Sequence, residues 1–444
     1  DWIITSVTSF DYDESPKGSW MMHSSGLTII NIEHRRMESY ICPECSSPAR
    51  LKQYRIRKLH HVRGYGYDTI LRVRIPQIVC EGCGKASMMP FPIARKGVSF
   101  TIGFEEWVLR TLYDKNVSKA SRETMVGQWM LWDILFYRVN EALEGLVLDN
   151  VEMISIDETS FRKGHDYVTV VSDQDRRLVF MCHGKGSNSL AEFCDWMRLH
   201  GGDPKKISVV CADMSTAFES GIRRYLPNAV EVFDKFHVIK LLNDDMNVIR
   251  KRLIKTTPIE KRKELDHIKF TVLKHRESMS EKDEERYRTI RLVNPELALA
   301  YDMKEAFYRI YEQEDKDAAK EFFDGWSEWV INDGCRELKI RARKLREKMD
   351  KILSWYDHPV TNAFAEGLNS KIQKVKADGC GFTNVRNFIN LCYFRFGELD
   401  IDLTDKHDGG ALSSSAGERS ESRIIKRRAK RVLLLGMCLY QNPF

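Results

Sequence analysis

Three carboxylates stand where secondary structure could bring them together. Asp157 ends the strand-like run ISID, Asp213 ends the run VVCAD, and Glu366 lies on the polar face of an amphipathic helical segment. Phosphodiester chemistry with two divalent ions needs oxygen ligands that converge from several elements. A single aspartate at a strand end is usually only a turn or a helix cap. The hypothesis of a catalytic metal site therefore rests on the three residues in combination.

A second group of residues could bind metal through sulfur. Two C-x-x-C pairs each place two thiolates on a tight turn, and tetrahedral zinc prefers four such ligands. The four cysteines are Cys42, Cys45, Cys80 and Cys83. The alternative is two pairs of reduced structural thiols, and His60 and His61 are either competing ligands or part of a basic surface. Because a closed four-cysteine site leaves no position for substrate, zinc here would be structural.

Positive charge is concentrated between the cysteine pairs. Eight lysine or arginine residues fall between Arg50 and Arg74, against one acidic residue, Asp68. A local field of this sign favours a polyanion, bound through salt-sensitive contacts to phosphates. The predicted DNA-binding residues of this region are Arg55, Arg57, Lys58, Arg63, Arg72 and Arg74.

Residues 117–139 are typical of two amphipathic helices separated by a turn near Gly127. This pattern could be a helix-turn-helix whose second helix reads DNA. A lone glycine between helices is weak evidence. An ordinary helical linker bundle therefore stays open as the alternative.

The elements that must position these residues predict an α/β fold. Between residues 151 and 233, three strands and then alternating helices and strands indicate a mixed sheet covered by helices. A charged stretch with helical periodicity predicts a helical insertion. The expected organisation is an N-terminal segment (1–40), a zinc ribbon (41–95), a helical DNA-binding segment (100–148), a sheet domain (150–240 and 356–398) interrupted by the insertion (241–355), and a linker with a basic tail (399–444).

The order of these motifs resembles that of the ISL-type insertion-sequence transposases. After the ribbon and the helical segment come IDE, ADMS, FDKFHVIK and NAFAEGLNSKIQ, between about Leu27 and Glu398. The resemblance implies a ribonuclease-H-like fold with a DDE site formed by Asp157, Asp213 and Glu366. It also implies two Mg2+ or Mn2+ ions, one activating water or a 3'-hydroxyl and the other stabilising the leaving oxygen.

The motifs add further candidates to this site. Asp234 and His237 match a family motif, and His237 is expected either to contact the scissile phosphate, to act as an acid or base, or to be a structural histidine bonded to Asp234. Glu158 should point to the opposite face of its strand and serve structure.

The segment that carries Glu366 offers possible DNA contacts of its own. Asn369, one turn beyond Glu366, either touches DNA or caps a loop. Lys371 and Lys374 either follow phosphates or are ordinary solvated lysines.

Composition limits the class of protein. A net charge of +6 decides nothing about partners by itself. The hydrophobic content of 43% and the absence of a long uncharged apolar run predict a soluble, intracellular, globular protein. The resemblance to transposases implies a cytoplasmic, nucleoid-associated location. The expected function is transposition at terminal inverted repeats, on double-stranded DNA, by a homodimer or larger assembly. The alternatives are a regulator built on a silent catalytic fold and a nuclease without strand transfer. A scaffold protein would explain neither the cysteine pairs nor the strand-end aspartates.

Overall fold

The computed structural model describes residues 2–11, 26–64, 66–162, 166–233, 235–265, 267–358, 363–379 and 381–401; for residues 264 and 363–366 only the backbone is described. The chain divides into two compact units. The first unit is Asp1–Leu146 with Val375–Phe444, and the second is Val147–Lys374. Most of the predicted linker and basic tail lies outside the described residues.

The first unit contains a six-stranded sheet. Its strands are β1 (Trp2–Asp11), β2 (Gly26–His34), β3 (Tyr40–Ile41), β4 (Pro48–Gly64), β5 (Tyr67–Cys80) and β6 (Ala86–Met88). The order is β1-β2-β5-β4-β3, with β6 also paired to β5. Along β5 the side chains alternate, so that Leu71 and Val73 are buried whereas Arg72 and Arg74 are exposed. The two N-terminal strands, to which the sequence assigned no role, belong to the sheet that carries the cysteine pairs.

Four helices complete the first unit. They are α1 (Ile102–Asp114), α2 (Val117–Thr124), α3 (Gln128–Glu144) and, beyond the second unit, α15 (Val385–Phe396). Helix α1 begins at Thr101, whose hydroxyl accepts from the Phe104 amide, and α2 begins at Asn116 in the same way. Fully buried leucines, such as Leu112 and Leu131, lie on α1 and α3. A three-residue turn, 125–127, joins α2 to α3, which is the arrangement that a helix-turn-helix requires.

The second unit contains a five-stranded mixed sheet. Its strands are β7 (Met153–Ser160), β8 (Tyr167–Asp173), β9 (Leu178–His183), β10 (Val209–Ala212) and β11 (Val230–Phe233). The order is β11-β10-β7-β8-β9, with β7, β10 and β11 parallel and β8 and β9 antiparallel. Counted within this sheet the order is 3-2-1-4-5, which is the ribonuclease-H-like arrangement. Helices α4 (Ser187–Leu199) and α5 (Thr216–Tyr225) supply crossovers, so the predicted mixed α/β fold is confirmed.

Eight α-helices lie between β11 and residue 358 in the described part of the chain. They are α6 (Lys235–Thr256), α7 (Ile259–Arg262), α8 (Ile268–Leu273), α9 (Glu281–Val293), α10 (Pro295–Tyr308), α11 (Lys316–Asp333), α12 (Arg336–Arg346) and α13 (Met349–Asp357). Their shared core is mostly aliphatic and includes the fully buried aromatic residues Tyr301, Phe307 and Phe323. The predicted helical insertion is therefore present. Helix α14 (Ala363–Asp378) follows it.

No helix within the described ranges combines the length and the apolar character that crossing a bilayer demands.

A buried carboxylate joins α1 to its surroundings in the first unit. Glu105 is 1% exposed, and its Oε2 lies 2.6 Å from the Arg95 guanidinium and 3.5 Å from that of Arg138. Both arginines also reach Glu141, whose side chain is 53% exposed. Arg95 and Arg138 therefore rely mainly on the Glu105 carboxylate to offset the free-energy cost of burying their charges.

We predict that Glu105→Ala lowers the free energy of unfolding by about 3 kcal/mol, because it leaves two largely buried guanidinium groups without their main partner. Urea unfolding of the full chain measures this change. The matched variant Glu141→Ala removes an exposed partner and should cost less than about 1 kcal/mol. Equal losses in the two variants would contradict the assignment of Glu105 as the central anion.

Candidate zinc and catalytic sites

The four predicted cysteine ligands come together in the first unit. Their Sγ atoms all lie within 4.8 Å of one another, with 3.4 Å between Cys45 and Cys80 and 4.0 Å between Cys42 and Cys83. A zinc–sulfur bond of about 2.3 Å gives a tetrahedron whose edges are about 3.8 Å. The thiols therefore fit a single structural zinc ion.

The two cysteine turns have the same local design. The Glu44 amide donates to Cys42 Sγ at 3.4 Å, and the Cys83 amide donates to Cys80 Sγ at 3.3 Å. The residue after each pair is left-handed, with φ of 59° at Ser46 and 68° at Gly84. No atom lies within 4 Å of a Cβ built on Gly84, so glycine is favoured there by backbone conformation and not by space.

The four thiols differ in acidity, and the histidines stand apart from them. Hydrogen bonds from the side chain and the backbone of Ser47 lower the pKa of the Cys45 thiol to about 6, which favours the thiolate that binds metal. The backbone bond from Lys85 lowers the pKa of Cys83, but its contacts with the other thiols and its burial outweigh this and raise the pKa to about 11. Among the described residues, the histidines are not members of the metal-binding group. His61 Nδ1 instead lies 2.8 Å from Thr101 Oγ1.

The six basic residues predicted to bind DNA are divided between the two faces of the first sheet. Lys58 is paired with Arg72 across β4 and β5, so these exposed side chains share a face with Arg74. Arg57 pairs with Val73 and Arg55 with Ile75, which places both arginines on the opposite face. The structure thus brings three of the six together as an exposed basic surface: Lys58, Arg72 and Arg74.

Four of the predicted DNA-binding arginines make internal contacts, and those of Arg74 with Glu33, at 3.3 Å, and of Arg55 with Gln77, at 3.4 Å, lie on the exposed surface. Arg57 donates to the backbone oxygens of Arg95, at 2.5 Å, and Val98, and burial lowers the pKa of Arg57. Arg63 Nε donates to Asp68 Oδ1 at 2.7 Å, with the Asp68 side chain only 8% exposed. The contacts of Arg57 hold β4 to the segment that follows the sheet. The ion pair of Arg63 with Asp68 stabilises the hairpin end of β4 and β5.

In the second unit, strand pairing places two of the predicted catalytic carboxylates side by side. Strand β10 pairs in parallel with β7, with Ala212 opposite Ile156. Asp213 directly follows Ala212, where β10 ends, and Asp157 directly follows Ile156, where the pairing of β7 with β10 ends, so the two carboxylates stand level with each other on adjacent strands. The strand that was expected to end at Asp157 continues to Ser160, because it also pairs with β8. Asp157 and Asp213 are both half-buried.

Helix α14 presents its polar side to β7. Asn369 Nδ2 donates to Asp157 Oδ2, and Gln373 Nε2 donates to Thr159 Oγ1. The amide of the residue after Asp157 donates to its Oδ1 at 2.6 Å. The predicted apolar side of this helix is buried at Leu368, Ile372 and Val375. Asn369 and Gln373, which are four positions apart on the helix, therefore contact Asp157 and Thr159, which are alternate residues of the strand.

The remaining candidates are placed as follows. His237 lies in the first turn of α6, with Nε2 3.9 Å from Asp157 Oδ1. Lys371 and Lys374 are exposed on α14. The backbone of Glu366 belongs to α14, one turn before Asn369, but its side chain and the whole of Asp234 lie outside the described residues.

Glu158 is closer to the site than its strand position suggested. Its Oε1 accepts from the Gly186 amide at 2.9 Å. The pKa of the Glu158 carboxyl is raised, mainly by burial. The Gly186 bond and the charge of Lys185 partly offset this effect, and the charge of Asp213 adds to it. The Glu158 carboxyl is therefore electrostatically linked to Asp213. Sequence reasoning also missed Thr159 and Gln373, although the four-residue spacing from Asn369 to Gln373 was a usable signal.

The mixed α/β sheet carries two carboxylates on adjacent parallel strands, with the polar side of a helix beside them, and such oxygen groups are the ligands that a divalent ion prefers. Comparison with known families identifies the kind of protein. Residues 154–392, more than half of the chain, match the family model of ISL3-type DDE transposases, whose description is "Transposase". The chain therefore belongs to this transposase family.

Similar proteins come from two bacteria. The chain is 22% identical to the transposase for insertion sequence element IS1001 of Bordetella parapertussis, over 78% of this chain and 86% of that protein. It is 24% identical to the transposase for insertion sequence element IS1557 of Mycobacterium tuberculosis, over 78% of this chain and 83% of that protein. The similarity therefore covers most of this chain and most of each relative.

We predict that the purified chain carries one zinc ion and that Cys45→Ser loses most of it, because three thiolates no longer close the tetrahedron. Metal analysis and native mass spectrometry measure the ratio of zinc to protein. The matched variant Cys335→Ser changes a thiol outside the group and should retain the zinc. A wild-type chain that is folded but free of zinc would refute the assignment.

Proposed function

We propose that this chain binds the terminal inverted repeats of its own insertion sequence and catalyses divalent-metal-dependent DNA cleavage and strand transfer. The proposed catalytic carboxylates are Asp157, Asp213 and Glu366. The observation that carries the proposal is the contact between Asn369 and Asp157, because it holds the helix that bears Glu366 against β7, beside the point where Asp213 follows the neighbouring strand.

Helix geometry supports Glu366 as the third carboxylate. Asn369 and Gln373 face β7, and residues three or four positions apart share one side of a helix. Glu366 precedes Asn369 by three positions. Its position on the helix therefore matches the side that faces the aspartates.

The carboxylate oxygens of Asp157 and Asp213 suit Mg2+ or Mn2+, which bind through oxygen and supply Lewis acidity to phosphoryl transfer when bound. The residues of the chain would hold and orient the reacting groups. Asn369 and the Glu158 amide fix the two oxygens of Asp157. His237, whose Nε2 is 3.9 Å from Asp157 Oδ1, would hold a proton or contact the scissile phosphate, with Asp234 as its expected partner.

The first unit would supply DNA binding. Its exposed basic surface, Lys58, Arg72 and Arg74, offers phosphate contacts, and Arg55 extends positive charge on the other face. Arg57 and Arg63 would act mainly by bracing the sheet, because their guanidinium groups already bond within the chain. The zinc ribbon would hold the strands that present the basic surface, and the helix-turn-helix, α2 to α3, would enter a groove of the duplex.

Further parts of the proposal follow from the chemistry of transposition. Lys371 and Lys374 would contact DNA phosphates beside the catalytic helix. Joining two ends of one element requires at least a homodimer on double-stranded DNA. The expected location is the cytoplasm, in association with the nucleoid. The proposed domains are those expected from the sequence, with β1 and β2 forming one sheet with the ribbon.

We predict that Asp157→Asn, Asp213→Asn and Glu366→Gln each reduce cleavage of a duplex carrying the element's terminal repeat by at least about a thousandfold, because each removes a negatively charged oxygen ligand of a divalent ion. Binding to the same duplex should change little, since it depends on other elements. Gel assays of nicking with Mg2+ or Mn2+, beside binding isotherms, measure the two effects.

Asp195→Asn is the matched control for these variants. Its carboxylate is 77% exposed on α4 and should leave cleavage unchanged. Cleavage near the wild-type rate in any of the three variants would exclude that residue as a ligand. Specific binding without cleavage by the wild type would instead favour a regulator built on a silent catalytic fold.

We predict a separate effect for Asn369→Ala. Without the Asn369 amide, Asp157 Oδ2 loses a donor that orients it, so binding of the metal must order this oxygen and about tenfold more Mg2+ or Mn2+ should be needed for half-maximal cleavage. Metal titrations of the cleavage rate measure this shift. Ser370→Ala, an exposed neighbour on the same helix, should show the wild-type dependence. A lower maximal rate with an unchanged metal requirement would contradict a positioning role.

A further inference from the structure

A cavity of about 200 Å3 lies in the first unit, between the hairpin end of β4 and β5 and the turn that joins α2 to α3. The sheet contributes histidines and an ion pair, α1 contributes aromatic rings, and the turn closes the far side. Principal lining residues are His60, Asp68, Phe104, Trp107, Met125 and Trp129. The volume is below the roughly 300–1000 Å3 of sites for drug-sized ligands, which limits an occupant to one small ring system.

The cavity walls combine aromatic faces with hydrogen-bonding groups. The Arg63–Asp68 ion pair opens onto the space, although the Asp68 side chain is only 8% exposed. Burial lowers the pKa of His60 and of His61, so each ring is neutral near pH 7 and has one donor and one acceptor nitrogen. Such a wall suits a flat ring with polar edges better than a purely apolar ligand.

The turn beside the cavity contains a residue in the left-handed backbone conformation and is followed by an exposed aromatic ring. Met125 has a φ of 57°, a left-handed conformation that bulky residues rarely adopt. Two residues later comes Gly127, where an added Cβ would lie 3.0 Å from Trp129 Nε1. The Trp129 side chain therefore lies across the turn, yet Trp129 as a whole is 66% exposed. A large aromatic residue is thus held at the mouth of the cavity.

We propose that this cavity receives one unpaired nucleobase from the DNA that the first unit binds. The proposal rests on the proposed DNA binding of this unit. A nucleobase is planar, stacks on aromatic side chains and presents donors and acceptors at its edge, which are the three properties of these walls. The mouth lies at the turn of the helix-turn-helix, where a duplex in contact with α3 would pass. The same walls could hold the base of a free nucleotide, and the test separates the two sources.

The full-length chain is titrated with duplexes of the terminal repeat, each carrying one mismatched pair at a successive position. Unpairing beforehand removes part of the cost of extruding a base. We expect about tenfold tighter binding of one mismatched duplex than of the matched duplex. We expect this ratio to fall close to one in Trp129→Ala and to persist in Trp129→Phe, which keeps a stacking ring. Tyr137→Ala, an exposed aromatic farther along α3, should keep the wild-type ratio.

A second arm uses free deoxynucleosides at millimolar concentration and records tryptophan fluorescence. Saturable quenching that Trp129→Ala abolishes supports a nucleobase site. Equal affinity for all duplexes, or a preference that survives in Trp129→Ala, would overturn capture of a base from DNA; nucleoside binding alone would then assign the cavity to a free nucleotide. If no duplex is bound at all, the proposed DNA binding fails, and absence of quenching by nucleosides would overturn the cavity assignment by itself.

Discussion

The parallel pairing of β7 with β10 is the constraint on which the catalytic unit depends. It sets Asp157 and Asp213 level with each other on neighbouring strands although 56 positions separate them in the sequence. Parallel neighbours cannot be joined by a tight turn, so the chain between them must form a crossover. Here that connection includes β8, β9 and α4, which extend the sheet and cover it. The covering layers bury the apolar side chains of β7 and β10, such as Ile154, Ile156 and Val210.

The first unit meets a different constraint, because its sheet has a small core. One hydrophobic cluster gathers around Leu59, Leu71 and Val73, and a second one includes Cys42 and Cys80 together with Ile78. The candidate zinc site is thus continuous with the second cluster. A metal bound there would fix the ends of β4 and β5 and so stabilise a sheet that buries little apolar surface.

Sequence patterns predicted the parts of the structure that repeat regularly. The mixed sheet, the helical insertion and the grouping of four cysteines are all present, because strand runs, helical periodicity and C-x-x-C spacing are local signals. The strands β1 and β2 were given no role because residues 1–40 show only weak alternation, and β1 is exposed on both faces. The alternation of side chains along β4 could have predicted that Lys58 and Arg57 lie on opposite faces of the sheet. By contrast, the bonds of Arg57 to Arg95 and Val98 depend on how a later loop folds back, which no local pattern encodes.

The contacts of Asp157 differ in kind from those of most other partly buried carboxylates in the second unit. In the insertion and around β11, Glu337, Asp245, Glu231 and Glu219 each bind an arginine or a lysine. Asp157 accepts from two neutral amides, the Glu158 backbone and the Asn369 side chain, and lies 3.9 Å from His237 Nε2. Neutral donors orient a carboxylate, whereas a bound guanidinium would compete with a divalent cation for the same oxygens. Amide donors therefore help to fix the direction of the Asp157 carboxylate, which is a property that a metal ligand requires.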